Sequence, residues 1–110
     1  MAEITVIRTL DAGNETFQRL FKKLPNDVLK QAKSALGELL CVDVASAPAK
    51  LHLHTLKDKL VPSVKDPKKK VKVYTFHLTR DDTYKASFTL EDGVAYLRVC
   101  GEHDSVDKSP

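Results

Sequence analysis

Apolar residues recur with two different periods along this chain, and the change of period divides it. Residues 3–9, EITVIRT, hold Ile4, Val6 and Ile7 in a β-branched stretch that predicts a first strand, with DAGN after it as a turn. From about 14 to 24, Phe17, Leu20, Phe21 and Leu24 fall at i, i+3, i+4 and i+7, the spacing that gathers side chains on one helical face. Asn14 is placed to cap that helix, because its side-chain oxygen accepts a first-turn N–H. Pro25 suits a first turn and Asp27 the positive end of a helix dipole, so a second helix starts there. Val28, Leu29, Ala32, Ala35, Leu36, Leu39 and Leu40 form its apolar stripe, while Lys30, Gln31, Lys33 and Glu38 lie off it. Leu24 and Pro25 leave only a short corner, which predicts a helical hairpin laid on one sheet.

Beyond the hairpin, VASAP at 44–48 reads as a loop. LHLHTLKDKL alternates Leu51 and Leu53 with His52 and His54, which suits a short extended piece. The two prolines and lysine run of VPSVKDPKKK, at 61–70, predict a loop or mobile arm. Period-two alternation then governs the last third. Residues 71–80 set Tyr74, Phe76 and Leu78 against Val73, Thr75 and His77, and residues 84–91 set Tyr84, Ala86, Phe88 and Leu90 against Lys85, Ser87 and Thr89. Glu91, Asp92 and Gly93 make a tight hairpin, and VAYLRVCG returns from 94 to 101. The fold class is therefore α+β: an N-terminal strand, a helical hairpin and a three-stranded antiparallel meander, with helices on one sheet face. The opposite face is expected to be open, and alternation puts Lys85 and His77 on it.

With 110 residues and 42% hydrophobic content, residues 1–110 suit a single domain with one core. No apolar run approaches the roughly 20 residues that cross a bilayer, and MAEITVIRTL lacks the basic-then-apolar pattern of a secretory signal. The expectation is a cytoplasmic protein with no membrane partner. Cys41 and Cys100 stand far apart and read as reduced core thiols. No compact ligand spacing joins them to His52, His54, His77 or His103, so neither a metal nor another cofactor is expected. The net charge of +3 is unevenly placed. Residues 56–72 carry seven lysines against two aspartates, making a basic loop at about 57–72. Such a run attracts polyanions by charge and counterion release, although the run alone equally fits a solvated loop.

Five pieces occur in order: KLP at 23–25 before a long helix, LHTLK at 53–57, YTFHLTRDD at 74–82, YKASFTLEDG at 84–93 and VCGEHD at 99–104. Together, from about residue 17 to 104, they resemble the RelE/ParE superfamily of bacterial toxins. The resemblance implies the toxin of a type II toxin-antitoxin module, held inactive by a cognate antitoxin protein. One branch is a metal-independent endoribonuclease that cuts messenger RNA on the ribosome. The other inhibits DNA gyrase without nuclease chemistry, and an inactive homologue acting by protein binding alone is a further reading.

For RNA cleavage a base must take the 2′-hydroxyl proton, a cation must stabilise the phosphorane and an acid must protonate the departing oxygen. The resemblance points to His103, Lys85, His77 and Arg98 for these roles. Asp104 is placed to orient His103. Lys57, Lys59, Lys68, Lys69, Lys70 and Arg80 are the expected RNA contacts, with Arg80 also placed to pair with Asp81 and Asp82. The sequence departs from the family pattern in three ways. His77 and Lys85 stand where relatives show arginine, one residue is inserted in DDTYK, and the tail VDKSP lacks an aromatic residue. A lysine at 85 is a point charge, without the planar fork that grips phosphate through two hydrogen bonds.

Overall fold

A computed structural model of the protein describes residues 5–46, 52–81 and 83–110, with the side chains of residues 57 and 58 excepted. Among them run β1 (Thr9–Asp11), α1 (Glu15–Lys22), α2 (Asn26–Leu39), β2 (His54–Pro62), β3 (Lys70–His77), β4 (Tyr84–Glu91), β5 (Val94–Glu102) and α3 (His103–Lys108). The architecture is α+β. The five strands form one sheet in the order β1-β5-β4-β3-β2. β2 to β5 are successively antiparallel, and β1 lies parallel to β5.

The helical hairpin forms as its periodicity dictates. The Asn14 side chain accepts from the Phe17 amide at 3.1 Å and caps α1, and Pro25 stands at the start of α2. Phe17, Leu24, Val28, Ala32, Ala35 and Leu39 enter the core with Phe76, Ala86, Phe88, Ala95, Leu97 and Cys100 of the sheet. Strand alternation puts those sheet residues on one face, with Phe76 opposite Ala86, Ala86 opposite Cys100 and Phe88 opposite Leu97. Asp92 and Gly93, with φ of 54° and 82°, make the two-residue turn between β4 and β5. No helix among the described residues is long and apolar enough to cross a membrane.

Four expectations need correction. The first strand of the sheet is Thr9–Asp11, three residues that run from the end of the expected strand at 3–9 into the expected turn. Before it, Ile7 exchanges backbone hydrogen bonds with Cys41 and Val42, so this stretch pairs with the chain leaving α2. Residues 54–62 form a strand, so the basic loop at about 57–72 shrinks to a turn over 63–69; a bulge between Thr55 and Leu60 accommodates the irregular pattern. That turn is tied down, because the Glu91 carboxylate accepts from the Ser63 hydroxyl and the Val64 amide. Cys41 is exposed with φ of 71°, leaving Cys100 as the buried thiol; neither is in a disulfide. Finally, the helices do not keep to one face. α3 packs on β4 and β5 with Val106 buried, and its Asp107 pairs with Lys85, which alternation places opposite the apolar set.

Candidate functional site

The polar sheet face is built from Thr75 opposite Ser87 and His77 opposite Lys85, continuing to Gly101 on β5. Lys85 is only 4% exposed and His77 8%. An ammonium this far from water needs a counter-charge, and Asp107 supplies it with Oδ1 2.6 Å from Lys85 Nζ. The other Asp107 oxygen lies 3.3 Å from His103 Nδ1. One carboxylate thus bridges an ammonium and an imidazole. The Asp104 carboxylate is more distant, at 3.6 Å, and fully in solvent, so Asp107 is the better orienting group for His103.

His103 in turn packs edge-on against His77, with ring centroids 5.8 Å apart. His77 stacks face to face on His52 at 4.4 Å, which His52 reaches from a backbone with φ of 46°. Three imidazoles from a loop, β3 and α3 therefore stand in a row. On one side of the row lies a cavity of about 500 Å³ between α2 and the end of β3, where Gln31, Ser34 and Glu38 face His52, His77 and Arg80. On the other, His103 lines a smaller depression with Thr83, Glu102 and Asp104. The His103 amide donates to the Thr83 carbonyl at 2.9 Å, fixing α3 to the start of β4.

The remaining expected site residues divide between this cluster and the far end of the sheet. Arg80 is exposed on the cavity rim, with its amide donating to Gln31 Oε1. The Asp81 carboxylate is engaged by the Thr79 hydroxyl and the Thr83 amide, which hold its pKa below the usual range; it closes the turn instead of pairing with Arg80. Asp82 lies outside the described residues, as does the Lys57 side chain. Lys59 Nζ donates to the carbonyls of Asp107 and Lys108, where the negative end of α3 favours a cation. Arg98 is the extra residue of a bulge, since Ser87 faces Val99 while Phe88 faces Leu97. Half-buried there, it donates through Nε to the Pro110 carbonyl at 3.0 Å, and burial lowers its pKa. Lys68, Lys69 and Lys70 are exposed, but β3 separates Lys70 from His77 by roughly 23 Å at the usual rise per residue. They do not border the imidazole row.

Two members of the cluster were not read from the sequence. Asp107 carried a usable signal, because His103 and Asp107 are four apart and helix neighbours at that spacing face each other. His52 carried none, since its stacking depends on a loop conformation. Among the described residues no group of three or more His, Cys, Asp or Glu side chains is arranged to hold a metal. Burial pushes the Cys100 thiol up to about 12, so it stays protonated and is no nucleophile at neutral pH. Compared with known proteins, the chain matches no family model, no curated protein and no solved structure.

Proposed function

We propose that this chain is a RelE/ParE-like toxin of a type II toxin-antitoxin module, acting as a metal-independent endoribonuclease on ribosome-bound messenger RNA. One observation carries the reading: His77, Lys85 and His103, distant in sequence, meet in a single cluster in which Asp107 pairs with Lys85 and His103 and the His103 ring packs on His77. Two imidazoles at this separation can address opposite oxygens of one phosphodiester. One withdraws the 2′-hydroxyl proton while the other returns a proton to the 5′-oxygen. Arg80 on the cavity rim supplies the exposed cation. Asp107 fixes the orientation of His103 much as a carboxylate does for any catalytic imidazole. The α+β order of a strand, a helical hairpin and an antiparallel meander supports the reading. A cognate antitoxin is the partner this reading requires.

A second reading, a toxin homologue that acts only by binding protein, whether DNA gyrase or antitoxin, is favoured by Lys85. That lysine is buried and neutralised, so in this conformation it offers no free charge to a phosphorane. Expression of His103→Ala separates the two. If the protein is a nuclease, the substitution abolishes growth arrest and the primer-extension stops on translated messenger, with the circular dichroism spectrum retained. Undiminished arrest at equal expression, with no cleavage by either form, selects the binding reading.

A further inference from the structure

α3 is six residues long, with Val106 as its buried residue. A helix of this length does not hold itself together in water, so contacts from outside must fix where it sits. Its first residue is tied down by the His103 amide, which donates to the Thr83 carbonyl at 2.9 Å. Near its other end the chain is gripped at Asp107. There Oδ1 lies 2.6 Å from Lys85 Nζ, Oδ2 lies 3.3 Å from His103 Nδ1, and the main-chain carbonyl accepts from Lys59 Nζ. Lys59 donates to the Lys108 carbonyl as well, at 2.9 Å, so one ammonium from the edge strand β2 bridges the last two carbonyls of α3. The last carbonyls of a helix have no partner within it, and the helix dipole favours a cation beside them. Because the Lys59 bond is made to the main chain of Asp107, it sets the point from which the Asp107 carboxylate reaches His103. A drift of an ångström there would take the carboxylate out of hydrogen-bonding range of the ring. Lys59 is half-buried against α3, where its charge is already engaged.

We propose that Lys59 is a positioning residue for His103: by holding the C-terminal carbonyls of α3 it fixes Asp107, and through Asp107 it fixes the imidazole. The effect on rate rests on the nuclease reading. What is added is that Lys59 serves the orientation of His103 and not the grip on RNA that its place in a lysine-rich stretch suggests.

The test measures single-turnover cleavage of messenger on programmed ribosomes by the full chain, as a plateau rate and as the ribosome concentration that gives half of it. Lys59→Met keeps the aliphatic stem and removes the donor. Its plateau rate should fall about tenfold to a hundredfold, as for a misplacement of about 1 Å, with the half-saturating concentration unchanged. Lys59→Arg, which can still donate to both carbonyls, should restore most of the rate. Lys59→Met/Asp107→Asn should be no slower than Asp107→Asn alone, because the first substitution acts through the second residue. An unchanged plateau rate, a raised half-saturating concentration, or losses that multiply in the double variant overturns the proposal. A second readout needs no cleavage: at fixed pH the ring carbon–proton NMR resonances of His103 should move in Lys59→Met and return in Lys59→Arg, while those of His54 stay in place. Unmoved His103 resonances overturn the proposal. If Lys59→Met does not fold, Lys59→Gln, which keeps a single donor group, is read by the same two measurements. A wild type that cuts no messenger removes the nuclease reading alone, since the resonances still report what Lys59 does to His103.

Discussion

The Glu91 carboxylate accepts from the Ser63 hydroxyl, the Val64 amide and the Thr89 hydroxyl, joining the turn after β2 to the end of β4. Burial works to raise its pKa, but the hydrogen bonds from Ser63, Val64 and Thr89 outweigh it and the net shift is downward from 4.5. A carboxylate with a depressed folded pKa adds stability that is present above its unfolded value and fades as pH falls through the folded one. Glu91→Gln should therefore cost about 1 kcal/mol at pH 7, and the gap to the wild type should close in urea titrations carried below pH 4.5. At this scale the sequence was partly legible. His77, Lys85 and His103 lie close together, and alternation had placed the first two on one sheet face. The sign of their environment was not legible, because burial of Lys85 depends on a helix that begins 18 residues after it, and the i,i+4 spacing of Asp107 from His103 has meaning only once that helix is placed.

Among the elements, the hairpin of α1 and α2 and the strands β3 to β5 follow directly from apolar spacing, since each buries one continuous face. The Asn14 cap belongs to the same class of signal. Asn14→Ala should lower stability by about 1 kcal/mol through loss of the bond to the Phe17 amide, measurable as a shift in denaturation midpoint with unchanged slope. β2 was harder to read because Pro62, a bulge and a lysine-rich composition disguise its alternation. α3 was harder still. Six residues with one buried apolar side chain carry almost no periodic signal, and helices this short owe their existence to tertiary contacts.

For the molecule as a whole, Phe88 sits at the meeting point of the layers, fully buried between Tyr74 and Phe76 and packed beneath the helical hairpin. Phe88→Ala should cost about 3–5 kcal/mol, a large part of the stability of a domain this size, and should appear as a sharply lowered thermal midpoint or loss of the folded protein. The expectation of one apolar and one bare sheet face was half met. Alternation correctly sorts the two faces, but it cannot say what lies over the polar one, because that is decided by where the chain goes after β5.

The margins of the sheet carry one more consequence. A row of unpaired amides and carbonyls along an outer strand invites another molecule to zip on, the first step toward fibrils. Here one margin is β1, only Thr9–Asp11, too short to template a neighbour. The other is β2, broken in register between Thr55 and Leu60 and ending on Pro62, which has no N–H to offer. Irregularities that blur this strand to a reader of the sequence thus work against edge-to-edge stacking of copies of the protein into ordered aggregates.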